Sequence, residues 1–166
     1  MEMNFWVIIG AGFVPLITGA IWYSAIFGKS WAATVGKSEE ELKKGFNAPL
    51  VFTLTVVFGI LSAFQLSNIV IHQMGFFSMM VDVPGFGTAG SEVMNEFTVI
   101  MGKYGQNFRT FKHGMLHGFI AGISLGVSII GVTAMFERKS AKYILINLGY
   151  WVVTFMLMGG IICQFA

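Results

Sequence analysis

The sequence predicts an all-α integral membrane protein: a four-transmembrane-helix bundle, with a short amphipathic helix in its first loop and a long outer loop that holds a second one. Three observations predict it. Of 166 residues, 55% are hydrophobic and only 11% charged, where a soluble domain carries about 25% charged residues. Mean hydropathy is +0.75. Four apolar segments, approximately residues 5–27, 49–71, 113–136 and 143–165, each reach the ~20 residues that cross ~30 Å of hydrocarbon. They make up one four-span membrane unit over residues 1–166. A net charge of +2 leaves no electrostatic footprint for nucleic acid. The expected surroundings are the lipid bilayer and either further copies of the chain or the other subunits of a membrane complex.

The first span follows MEMNFW, which lacks a basic leader region, so a retained helix is expected and not a cleaved signal. Pro15 should kink it, and Gly12 and Gly19 leave room for a neighbour. In the first loop Ser38 is an N-cap and Glu41, three residues on, completes a capping box. Glu39, Glu40 and Glu41 lie at the positive end of that short helix, Lys43 and Lys44 at its negative end, and Gly45 stops it. Asn47 caps the second span, with Pro49 in its first turn.

The second loop, 72–112, is the longest piece outside the spans. Its first half, GFFSMMVDVPGFGTAG, reads as irregular. From Ser91 the pattern turns helical, with Val93, Phe97, Ile100, Met101 and Tyr104 on one face. Such a helix lies in the interface or lids the bundle.

The third span carries glycine at 114, 118, 122 and 126. A four-residue step is slightly more than one turn, so these glycines form one shallow ridge. In lipid, small residues let a second helix approach closely. The expected neighbour is the first span or a second protomer.

Loops one and three hold Lys29, Lys37, Lys43, Lys44, Arg138, Lys139 and Lys142. The longer loop two holds Lys103, Arg109 and Lys112. The positive-inside rule then sets loops one and three in the cytoplasm and both termini outside, in the inner membrane of a cell. A faint echo links the ends of spans one and three: Phe27-Gly28-Lys29-Ser30-Trp31-Ala32 and Phe136-Glu137-Arg138-Lys139-Ser140-Ala141. Any repeat would be parallel.

The run Trp22-Tyr23-Ser24, Phe27-Gly28-Lys29 and Trp31, with the Ser38-Glu39-Glu40 helix, resembles the small bacterial membrane proteins of domain-of-unknown-function family 1761. So do Phe136-Glu137-Arg138-Lys139-Ser140, Ile146-Asn147-Leu148-Gly149-Tyr150 and Met158-Gly159-Gly160. The resemblance covers about residues 3–47 and 113–165. The long glycine-rich loop departs from it. It implies four spans and no known reaction, substrate or partner.

Two constellations can carry chemistry. In the first, Gln65, Asn68 and His72 have i, i+3, i+7 spacing, and His113 and His117 have i, i+4 spacing. Topology brings these to the same side of the membrane. Two histidines one turn apart can ligate a metal, as in H-E-x-x-H helices, although the glutamate is missing. A third ligand would be His72, or Asp82, Glu92 or Glu96. The competing readings are interfacial hydrogen bonding and a proton-linked or polar-ligand site. The second constellation is the opposite end: Trp22, Tyr23, Lys29, Trp31, Glu137, Arg138, Asn147, Tyr150 and Trp151. It reads as an aromatic belt with snorkelling cations, or as an ion pair from Glu137 to Lys29 or Arg138. The lone Cys163 forms no intrachain disulfide. No phosphate-binding glycine pattern and no paired nucleophile is present, so no catalytic residue is named and no cofactor is identified. Two function classes remain. One is an oligomeric transporter, channel or complex subunit. The other is a membrane-embedded metal- or cofactor-binding protein or enzyme that uses the outer histidines.

Overall fold

The computed structural model describes residues 3–166, with the Glu39 side chain outside the described part. Met1 and Glu2, part of the leader reading, also lie outside it. The chain is 79% helical, with no strand among the described residues. Four helical spans are long and apolar enough to cross a membrane: Phe5–Ile26, Ala48–Val70, Phe111–Phe136 and Ala141–Phe165.

Span 1 is broken. Helix α1 (Phe5–Ala11) starts at Asn4, whose side chain caps Trp6. Helix α2 (Val14–Ala20) has Pro15 in its first turn, where the missing N–H costs nothing. The span ends in a π-helical turn, Ile21–Ile26. Two helices follow in loop one. Helix α3 (Gly28–Val35), which the sequence did not announce, stops at Gly36 with φ +70°, a conformation that glycine adopts without a Cβ penalty. Helix α4 (Glu39–Lys43) carries the complete capping box between Ser38 and Glu41. Loop one then folds against the end of span 1 around a cavity of about 550 Å³ lined by Tyr23, Trp31, Leu42 and Phe46.

Span 2 is helix α5 (Ala48–Val70), capped by Asn47. Ile71 interrupts it with extended geometry (φ −104°, ψ 94°), and α6 (His72–Met80) restarts. This corrects the expectation of an irregular run here. Met, Phe and Ser sit comfortably in a short helix up to Met80; turns begin at Val81, and Gly85, Gly87 and Gly90 within them take positive φ. Helix α7 (Glu92–Tyr104) is capped by Ser91. Its Phe97 is buried, stacked on Phe76 at 5.4 Å and edge-on to Phe86 at 5.1 Å. The outer loop thus has its own aromatic centre.

Span 3 consists of α8 (Phe111–Gly126), a π-helical turn Val127–Gly131, and α9 (Val132–Phe136). Both odd-numbered spans therefore carry a π-helical turn in the half that leads to the lysine-bearing loops. Span 4 is the continuous helix α10 (Ala141–Phe165), capped by Ser140. It is the shared centre and touches spans 1, 2 and 3. Its contact with α8 is by far the most extensive.

The glycine ridge makes that contact. A Cβ on Gly118 would lie 2.6 Å from the carbonyl carbon of Phe155 and 2.9 Å from Cα of Met156. One on Gly122 would lie 2.8 Å from Cα of Val152. Gly114 faces the backbone of Gly159, and Gly126 faces the side chain of Leu148. The ridge therefore rests on span 4, and not on the first span or on another protomer. A short loop joins spans 3 and 4, so they meet as neighbours in a hairpin. Gly12 of span 1 meets span 2 in the same close way: a Cβ there would lie 2.9 Å from the backbone nitrogen of Ile60. The lipid-facing side is broad, with Leu54, Phe58, Leu61, Leu116, Ile129 and Leu145 all exposed.

Candidate functional site

All three histidines of the chain converge at one end of the bundle. His72 opens α6 one residue past the break at Ile71. His113 and His117 lie one turn apart at the start of α8, where the Thr110 side chain caps the backbone N–H of His113. Each imidazole offers a ring nitrogen, and the three nitrogens all lie within 4.8 Å of one another. Nε2 of His72 and Nε2 of His113 are 2.8 Å apart, at hydrogen-bond distance. Ring centroids are 4.9 Å apart for His72–His113, 4.8 Å for His72–His117 and 4.5 Å for His113–His117.

The break at Ile71 builds this cluster. On an uninterrupted helix His72 would share a face with Gln65 and Asn68, as the spacing suggests. One extended residue resets the phase and turns His72 toward span 3. Gln65 and Asn68 stay behind. Asn68 donates to Phe64 O in its own helix at 3.1 Å, and Gln65 lines a cleft with Ile69, Leu125 and Phe155. The metal-capable cluster holds none of Asp82, Glu92 or Glu96.

Phe108 covers the histidines, edge-on to His72 at 5.9 Å and tilted over His113 at 5.0 Å. Its φ of +62° is a genuine outlier for a bulky side chain. Four hydrogen bonds hold this strained turn. Thr110 N–H donates to Phe108 O at 2.8 Å. The Cys163 thiol donates to Phe108 O at 3.3 Å and lies 3.3 Å from Val70 O as well. Arg109 donates to the carbonyl oxygens of Cys163, at 2.7 Å, and Ala166, placing a cation at the negative end of α10. Next to His72, the buried Gln73 amide donates to Asn107 O at 2.8 Å, tying α6 to the turn after α7, while its Oε1 has no partner.

The opposite end, which carries Lys29, Lys37, Lys139 and Lys142, is interlocked by hydrogen bonds. Trp22 Nε1–H donates to Ile146 O at 3.0 Å, and Tyr23 O–H donates to Asn147 Oδ1 at 2.8 Å. Tyr150 O–H donates to Pro15 O at 2.8 Å, a carbonyl in the first turn of α2. Below it Thr18 and Thr154 share a hydroxyl–hydroxyl bond of 2.8 Å. Trp31 packs edge-on to Tyr23 at 5.2 Å, and Trp151 edge-on to Tyr150 at 5.1 Å. Lys29, Glu137 and Arg138 are exposed, and among the described residues Glu137 pairs with neither cation. Glu41 is held below the usual carboxylate range by its hydrogen bonds with the backbone and then the side chain of Ser38. The pairs Thr18–Thr154, Tyr150–Pro15 and Trp22–Ile146 were not legible in the sequence, because each joins spans more than 120 residues apart.

No curated protein and no solved structure matches the chain. A family model described as "Protein of unknown function (DUF1761)" matches residues 6–163. That is nearly the whole chain, so this chain, with its four helices long and apolar enough to cross a membrane, belongs to the DUF1761 family, whose function is unknown.

Proposed function

We propose that this protein binds a transition-metal ion at the membrane surface through His72, His113 and His117. One observation carries the reading: three imidazoles from two separate helices present nitrogens within 4.8 Å of one another. Imidazole suits zinc, copper, nickel and iron. In a tetrahedral zinc site, with Zn–N of about 2.0–2.1 Å, ligand nitrogens stand about 3.3–3.4 Å apart. Small rotations about the side-chain bonds bring the cluster to that spacing. A three-histidine set leaves a fourth position for water or a small ligand. Proton sharing alone accounts for the 2.8 Å His72–His113 contact, but it does not call on His117.

In this reading the termini and the histidine end face outward and the lysine-bearing loops face the cytoplasm, in keeping with the positive-inside rule. The ion would then be met from outside.

The test is metal analysis after purification in detergent, followed by titration with zinc and copper. We expect one ion per chain, lost in His113→Ala and His117→Ala and released on acidification, because protons compete for the ligand nitrogens. Wild-type protein that binds no more metal than the double variant His113→Ala/His117→Ala would overturn the reading.

A further inference from the structure

Residues of spans 2, 3 and 4 line a groove. Three compartments compose it. The first, of about 270 Å³, lies between Gln65 and Ile69 of α5 and Ala121 and Leu125 of α8. The second, of about 260 Å³, shares Ser62, Leu125 and Phe155 with the first and adds Ile129, Ile130 and Trp151. The third, of about 290 Å³, continues past Ile130 and Trp151 to Thr133, Glu137, Tyr143 and Asn147. The π-helical turn Val127–Gly131 sets both Ile129 and Ile130 on this wall.

We propose that the groove holds one acyl chain of an anionic phospholipid whose headgroup rests on the cations at the turn between spans 3 and 4. The length suits a chain: from Leu125, where the first two compartments meet, the twelve steps to Glu137 rise about 18 Å, close to one leaflet of a ~30 Å hydrocarbon core. The charge suits an anion. Arg138, Lys139 and Lys142, all exposed, lie in sequence beside the wall residues Glu137 and Tyr143, three cations against the single acid. Lys139 Nζ stands 5.7 Å over the ring of Tyr143, itself a wall residue of the third compartment. The ammonium is thus held where the groove reaches the headgroup level. The site is independent of the histidine cluster, which lies at the other end of the bundle.

The experiment uses the full chain in phosphatidylcholine nanodiscs doped with phosphatidylglycerol that carries a diazirine near the end of one acyl chain, with the same diazirine on phosphatidylcholine as comparison. Cross-linked residues are mapped by mass spectrometry. We expect labels on Leu125, Trp151 and Phe155, about twenty-five-fold stronger with phosphatidylglycerol, since each of the two net cations near an anionic headgroup is worth about a five-fold change. Lys139→Ala/Lys142→Ala should remove the preference. Ser62→Trp should remove the groove labels while the lipid-facing Phe58 remains labelled. Equal labelling by the two lipids, or labels on Phe58 with none in the groove, would overturn the proposal.

Discussion

Span 4 is held on two sides by opposite means. Toward span 3 it presents its bare backbone: Gly118 lies against the carbonyl of Phe155, and Gly159 lies against Gly114. Toward span 1 it presents long polar side chains, Tyr150 and Thr154, that reach across to Pro15 O and Thr18. In lipid the first contact depends on dispersion over a close, shape-matched surface and tolerates no added atom. The second depends on hydrogen bonds that the separated helices partly replace with other partners, so each is worth only about 0.6 kcal/mol on average. The difference teaches that steric fit, more than polar pairing, dominates the hold on the central helix.

The largest effect should come from Gly118→Leu. The new side chain would collide with backbone that cannot move without parting the two spans, and overpacking of this kind costs about 1–3 kcal/mol or more. We expect loss of folded protein in detergent, read by thermal melting. Gly131→Ala is the control, since a Cβ there meets nothing within 4 Å, and its melting should match wild type. A Gly118→Leu protein that melts normally would break the comparison.

A smaller effect is expected from Thr154→Val. It removes the bond to Thr18, which keeps Val14 O as a partner at 2.8 Å. A loss of about 0.6 kcal/mol is expected in equilibrium unfolding. A cost above that of Gly118→Ala would reverse the ranking of the two interfaces.

The smallest effect lies outside the spans, in the capping box. The Glu41 carboxyl titrates lower in the folded chain than in the unfolded one, so its contribution is present above the ordinary carboxylate range and is lost as pH falls through its lowered value. Protection from hydrogen exchange over Ser38–Lys44, corrected for the intrinsic rate at each pH, should fall under acid in wild type, whereas Glu41→Gln should show little such change. An identical acid response in both would remove the carboxylate from the account.

What could be read from the sequence follows the same division. Four apolar runs, the Ser38 box, the Ser91 cap and the spacing of glycines 114 to 126 are local signals, each contained within one element. The partner of the ridge was not legible, because a small-residue stripe announces a close contact without naming the other side. The grouping of His72 with Gln65 and Asn68 rested on unbroken helical phase, which Ile71 interrupts; Ile is an ordinary helix residue and carries no mark of a break. The convergence of all three histidines followed from topology, since the ends of spans 2 and 3 are joined by one loop. The Tyr23–Asn147 and Thr18–Thr154 pairs had no signal in either span alone.

The turn at Phe108 sets how long the imidazoles stay covered. A left-handed backbone at a residue with a bulky side chain costs about 1–2 kcal/mol. With its contacts unchanged, a cap held against such a cost lifts about five to thirty times more often than a relaxed one would. Phe108 therefore shortens the waiting time for anything that enters or leaves the histidine cluster. For the proposed ion, the rate of exchange would be governed by one backbone angle as well as by the grip of three side chains.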